Sequence, residues 1–291
     1  MDGRWGFVKH FDKIAPRLGK RTDALMGIMP NLWGPRVGAR RAYFYSVMSG
    51  ALYGASVWSG EAMASRRIQK NLHTVQRRLA LRMARAYRTA PSAAIMVLAG
   101  VPPAELLAEA QAIVYAWVKA IRLRGGWLDP RALAREREKT RWRAIDRWRE
   151  QLGANPPAGG TRFLEAVLPC LDEWLSRTWG GPTYRLTQVL VGHGCFGKYL
   201  CRIGKESTAR CHHCDEEVDS AQHTLERCPA WEELRGVLRQ EVREDLSLGA
   251  VVNKMSLRES SWIAVSSFCE QVMSRKEEAE RERERRPGGR R

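Results

Sequence analysis

The stretch CHHCDEEVDSAQHTLERC, Cys211 to Cys228, constrains this chain more than any other. Cys211 and Cys214 are in C-x-x-C spacing, which lets both thiolates reach one ion from a single tight turn. His223 and Cys228 follow with four residues between them. A helical turn or a short loop closes that second pair onto the same ion. Three thiolates and one imidazole fit tetrahedral structural zinc, and soft sulfur disfavours magnesium and calcium. No open fifth position is implied, so the pattern reads as structure rather than catalysis. The alternative is a chance cluster, since the chain has seven cysteines and three fall in this window. His212 and His213 lie inside the C-x-x-C and are expected to point away from the ion. Cys170, Cys195, Cys201 and Cys269 have no partner at ligand spacing and read as buried small hydrophobes. A segment this polar has little core of its own, so zinc binding would couple to its folding.

Charge narrows the function classes. The chain carries 49 Lys and Arg against 32 Asp and Glu, a formal +17. Such an excess attracts polyanions, nucleic acid first and anionic membrane second. A merely solubilising surface is the plain alternative. At 291 residues with 44% hydrophobic content, the chain can bury one sizeable core or two smaller ones. No apolar run approaches the ~18–20 residues of a transmembrane helix. The N-terminus, MDGRWGFVKHFDK, has no apolar signal core. Cysteines used as ligands and free thiols suit a reducing compartment.

The hydrophobic pattern is helical almost throughout, with no strand-rich region and no internal repeat. A short strand or loop is expected at Arg4–Val8, then a helix to about Leu25, and a buried helix over Arg40–Trp58. From Glu61 to about Arg88 the reading is an amphipathic helix. Ile68, Leu72, Val75, Leu79 and Met83 form its apolar stripe. Arg67, Lys70, Arg78, Arg82 and Arg85 recur at the same spacing on another face, widened by Arg66, Arg77 and Arg88. Like charges at i,i+4 repel, so an ordinary solvated face avoids one sign. A face that tracks phosphates is therefore favoured over a solvated one. Pro102-Pro103 opens a helix to about Arg124, and a charged helix spans Arg131 to about Leu152. GANPPAGG, Gly153 to Gly160, is the expected linker. Beyond it, helices are expected at Arg162–Trp179, Tyr184–Val191, Phe196–Ile203, Pro229 to about Asp245, and Glu259 to beyond Val272.

The fold class is thus mainly α, with a basic helical module over 1–152 and a helical C-terminal domain over 161–275. The second holds the cysteine–histidine knuckle at 211–228. Residues 276–291, rich in alternating Glu and Arg, are expected to be a disordered basic tail. The chain has no G-x-x-x-x-G-K-[ST] loop, no G-x-S-x-G elbow and no H-E-x-x-H. His10, His73 and His193 are isolated and read as structural. His193, between two glycines, is expected to brace the turn that feeds the knuckle.

The stretch LTQVLVGHGCFGKYLCRIGKESTARCHHCDEEVDSAQHTLERCPAW, Leu186 to Trp231, closely resembles the C-terminal tail of non-LTR (LINE-like) retrotransposon reverse transcriptases. The likeness is to the arthropod clade that inserts into ribosomal DNA and telomeric repeats. GHG-x-F and CP-x-W are the knuckle's companions in it. Ala51–Trp58 and Gln76–Ala110 resemble the region just after the polymerase palm, and Arg4–Phe7 with His10-Phe11 the palm's end. The resemblance implies a thumb in the first module, gripping the template–primer duplex. It implies one structural Zn2+ on Cys211, Cys214, His223 and Cys228, in a knuckle that handles nucleic acid. It also implies RNA or DNA as partner, a palm-containing reverse transcriptase fragment as a further one, and a nuclear location; no membrane role is expected. Polymerase activity in that family needs a Tyr-x-Asp-Asp motif, and no two aspartates are adjacent here. The expectation is a non-catalytic nucleic-acid-binding part of such an enzyme. The alternative is a zinc-stapled helical scaffold for protein partners, a domesticated or decayed fragment.

Overall fold

The computed structural model describes residues 6–154 and 161–285. Arg4 and Trp5, residues 155–160 of the expected linker, and 286–291 of the expected tail lie outside the described residues. Among the described residues there are helices and no strand, so the chain is mainly α. It divides into two compact units. One takes residues 1–83 and 95–156. The other takes 84–94 and 157–291, an interleaving absent from the simple two-part expectation.

The first unit is built from α1 (Val8–Ile28), α2 (Val37–Ala51), α3 (Ala55–Ala64), α4 (Arg66–Met83), the later part of α5 (Ser92–Ala99), α6 (Ala104–Leu123) and α7 (Pro130–Ala154). α1 packs on α4 and α2, and α6 on α3 and α7. Phe11, Phe44, Trp58, Ile68, Leu72 and Leu79 are buried between them, with Phe11 edge-on to Trp58 at 4.8 Å. The buried Gln76 bonds both ways to the start of α6: its Nε2 donates to Pro102 O (2.6 Å) and its Oε1 accepts from Ala104 N (3.0 Å).

Two expected helices come out differently. The helix expected over 40–58 is divided at Gly54, whose φ of 70° re-aims the chain. The helix expected over 61–88 is shorter at both ends. Ser65 is extended, and its hydroxyl accepts the N–H of Ile68 (3.4 Å). At the other end α4 stops at Met83, and Arg85 takes a left-handed φ of 52°.

The second unit contains α8 (Thr161–Val167), a 3-10 turn at Leu168–Cys170, α9 (Leu171–Ser176), α10 (Tyr184–Val191), α11 (Gly197–Arg202), α12 (Ala221–Glu226), α13 (Glu232–Val242), α14 (Leu248–Leu257) and α15 (Glu259–Arg285). Pro169 breaks what reads in sequence as one helix over 162–179. The Thr183 hydroxyl caps α10 by accepting from Leu186 N (3.2 Å), and Gly192 ends it at φ 71°. α15 is the spine: α10, α13 and α14 pack along it.

The tail expectation is overturned for residues 276–285, which continue α15. Their charges are used internally. Lys276 is buried against Asp219, Glu277 accepts from Arg185 (2.8 Å), and Glu280 accepts from Lys205 (3.1 Å). A run that looks solvated in sequence is thereby held as helix.

Candidate metal centre and basic surface

α11 delivers the chain to a turn that carries Cys211 and Cys214. The Cys211 N–H donates to Glu216 O (2.9 Å) and closes that turn. The Ser220 hydroxyl then caps α12 by accepting from His223 N (3.0 Å), which fixes His223 in its first turn. Cys228 follows the end of α12, its N–H bonded to His223 O (2.8 Å). The four ligand atoms lie within 4.8 Å of one another. The Cys211–Cys228 and Cys214–Cys228 sulfurs are 3.9 and 3.7 Å apart, and Cys214 Sγ is 3.3 Å from His223 Nε2. A tetrahedral ion with sulfur at ~2.3 Å requires sulfurs ~3.8 Å apart, whereas a disulfide requires ~2.0 Å. The cluster can therefore hold a metal ion through three sulfurs and Nε2.

The thiols compete for one negative charge. A hydrogen bond from Cys228 draws the Cys211 thiol down to about 3, and that same bond drives Cys228 up. Burial raises Cys214. His212 instead faces Glu206 (3.4 Å), and His213 lies against the Trp231 ring (4.8 Å). Neither joins the cluster, nor do Cys170, Cys195, Cys201 and Cys269.

Three residues that the sequence reading did not single out hold the ligands in place. Asp219 is buried, and its carboxylate accepts from Gly197 N (2.9 Å), Thr224 Oγ1 (3.2 Å) and Lys276 Nζ (2.7 and 2.9 Å). This pair fastens the start of α12 to α15. Gly197 approaches so closely that a Cβ there would stand 2.5 Å from the carbonyls of Ala209 and Arg210. Arg235, fully buried on α13, donates to Cys228 O (2.6 Å), Leu225 O (3.1 Å) and Thr224 O (3.5 Å), and pairs with Glu232. It satisfies the carbonyls that the end of α12 leaves open. The one clue in sequence was Asp219 standing directly before a serine cap. Arg235 and Lys276 sit at ordinary helical positions and gave none.

His193 is buried with its ring 4.7 Å from Tyr199 on α11, and 3.0 Å from Arg202 Nη2. Burial, and then the Arg202 charge, push it down to about 4, so it is neutral at ordinary pH.

The basic residues divide. On α4, Arg66, Arg67 and Lys70 are exposed, while Arg77, Arg78 and Arg82 are half-buried. Burial lowers the Arg77 pKa. Arg67 pairs with Asp12 (2.8 Å) and Arg78 with Asp23, both acids on α1. Arg82 reaches Asn31 (3.4 Å). Arg85 and Arg88 are not on this helix: α4 ends before them, and they fall in the second unit. The single stripe expected over 66–88 is thus corrected to one over 66–82. α1 adds exposed Lys9, Lys13, Arg17, Lys20 and Arg21, which the sequence reading missed.

Comparison with known proteins gives two relatives. A 115 kDa protein in the type-1 retrotransposable element R1DM of Drosophila melanogaster is 28% identical over 238 residues, 79% of this chain. A retrovirus-related Pol polyprotein from the type-1 retrotransposable element R1 4 of Nasonia vitripennis is 27% identical over 243 residues, 82% of this chain. The chain is homologous to R1-type retrotransposon proteins. It corresponds to a region of them, spanning 23% of the first relative's length and 60% of the second's. No family model matches. No solved structure matches. Among the described residues, no single helix is long and apolar enough to cross a membrane.

Proposed function

We propose that this R1-type chain is a nucleic-acid-binding part of a non-LTR reverse transcriptase that grips template RNA, target DNA or their hybrid. The observation that carries the reading is the cationic surface of two packed helices, with Lys9, Lys13, Arg17, Lys20 and Arg21 on α1 and Arg66, Arg67 and Lys70 on α4. Exposed cations on a rigid helical pair bind phosphates and release counterions. Such contacts position a duplex without reading its sequence. The second unit supports the reading with a knuckle whose four donors suit one Zn2+. Zinc, when bound, neutralises the thiolates. Ser220, Asp219 and Arg235 orient the ligands around it, which is the work of a structural site. The chain alone carries no adjacent aspartates to hold two ions for phosphoryl transfer. A palm-containing reverse transcriptase segment, in the same polypeptide or apart from it, is the partner this reading implies, and the nucleus its setting.

The test is equilibrium binding of the zinc-loaded chain to single-stranded RNA, duplex DNA and an RNA–DNA hybrid across a salt series. Tight binding with a steep negative salt slope is expected. Replacing Arg66, Arg67 and Lys70 together with glutamine should flatten that slope by roughly two to three, at about 0.7–0.9 per phosphate contact. Unchanged affinity and slope would remove the assignment. A second reading, a zinc-stapled scaffold for acidic protein partners, is favoured by the internal pairing of Arg67 and Arg78 with Asp12 and Asp23. Weak binding to all three nucleic acids near physiological salt selects it.

A further inference from the structure

The loop between α1 and α2, residues 29–36, is built with unusual care around a single exposed ring. Trp33 is 98% exposed, beside the half-exposed Leu32 and Ile28. Its backbone sits at φ 61°, a left-handed conformation that a bulky side chain rarely adopts. Neither property arises from a floppy loop. The fully buried Arg40 guanidinium straps the segment from inside, donating to Pro35 O (2.9 Å), Met29 O (3.4 Å) and Pro30 O. It also donates to Arg82 O (2.5 Å) at the end of α4, and the Arg82 guanidinium reaches back to Asn31 (3.4 Å). Gly34 closes the strap, since a Cβ there would lie 2.6 Å from Pro30 O. A buried arginine thus spends four carbonyl bonds on holding a tryptophan out in water.

Residues held in sparsely populated backbone regions persist where their surroundings impose them, and they cluster at binding sites. The nearby chemistry says what would be bound. The sequence from Ala24 to Gly60 contains no Asp or Glu, and it carries Arg36 and Arg41, both exposed. The strap ends on Arg82, the last cation of the α4 stripe. An exposed indole on a segment that carries exposed Arg36 and Arg41 and no acid of its own fits a nucleobase. Every base offers a π-face, and aromatic platforms beside cationic grooves are how unpaired bases are held.

We propose that Trp33 is a stacking platform for one unpaired nucleobase, at the end or the single-strand junction of nucleic acid whose phosphates lie along α4. This rests on the nucleic-acid reading above. The strap fixes the Trp33 backbone and keeps the ring out in solvent, so little backbone entropy is lost on stacking. The phosphate cations supply affinity, and Trp33 supplies a preference for structures with an unpaired base.

The test compares the full zinc-loaded chain with Trp33→Ala, Trp33→Tyr and Trp33→Gly on a blunt duplex and on the same duplex with a single-stranded overhang. 2-Aminopurine at the first unpaired position reports stacking by its quenching. Trp33→Ala should lose roughly 5- to 150-fold in affinity for the overhang substrate, the range that one stacked base carries. The blunt duplex and the salt slope should hardly change. Trp33→Tyr should keep most of the affinity and the quenching. Trp33→Gly, which accepts the left-handed backbone, should fold normally and still lose the overhang preference. Equal overhang binding and quenching by Trp33→Ala and the parent would overturn the platform while leaving the nucleic-acid reading intact. No binding by the parent chain to either substrate would overturn both.

Discussion

Buried cations of the second unit and surface cations of the first are used in opposite ways. In the second, Lys276 and Arg235 are buried, and each is spent on carboxylates or carbonyls that position the knuckle. In the first, the cations of α1 and α4 mostly stand on the surface, and the ion pairs they make are at least partly exposed. The contrast is energetic as well as geometric. Breaking a buried pair leaves an uncompensated charge in low dielectric and costs about 3–5 kcal/mol, whereas an exposed pair contributes ~0–1 kcal/mol. The buried cations of the second unit are therefore architecture, and the exposed ones on α1 and α4 are available for partners. Arg40 is the exception, a buried cation of the first unit that builds the Trp33 loop.

The strongest way to break this comparison is to empty the knuckle. Cys214→Ser, or a strong chelator, should abolish stoichiometric zinc and lower the Tm of the second unit. Structural zinc contributes apparent binding energies of about 10–16 kcal/mol in small zinc domains. The salt-dependent binding assigned to α4 should survive, because its residues lie in the other unit. Full zinc content with an unchanged Tm would show that these are the wrong ligands. A step smaller is Lys276→Met, which strands the Asp219 carboxylate among its remaining partners. The zinc-loaded chain should lose about 3–5 kcal/mol in a urea titration of the second unit. The Asp219→Asn, Lys276→Met double variant should lose less than the two single losses added together, since the partners couple directly. A loss under ~1 kcal/mol for Lys276→Met would mean that the pair does not fasten α12 to α15.

What the sequence made legible follows the same division. The Cys and His cluster is legible because metal geometry dictates such a spacing, and Cys211, Cys214, His223 and Cys228 lie with their donor atoms within 4.8 Å of one another. Helices with strong caps and stops, such as Tyr184–Val191, are legible to the residue. The break at Ser65 was not, because the apolar period runs through it and a single hydroxyl decides the boundary. α5 and α14 were missed, being short apolar runs whose helicity depends on tertiary burial. The α15 extension was misread because glutamates and arginines look alike in a solvated tail and in an internal ion-pair ladder. The exposure of Trp33 belongs to the strap, which no local pattern encodes.

The smallest effect sharpens the comparison most. Asp23 is exposed and holds Arg78, one of the cations on the α4 stripe. If surface pairs in the first unit contribute little to folding, Asp23→Asn should change stability by no more than about 0.5 kcal/mol. It also frees Arg78 and removes a carboxylate facing the bound polyanion. Affinity for duplex nucleic acid should therefore rise a few-fold, and the salt slope should steepen by up to ~0.9, one further phosphate contact. A binding series in parallel with a urea titration reads both quantities. Large destabilisation with unchanged binding would place Arg78 among the architectural cations, and α4 would then serve its unit as α15 serves the other.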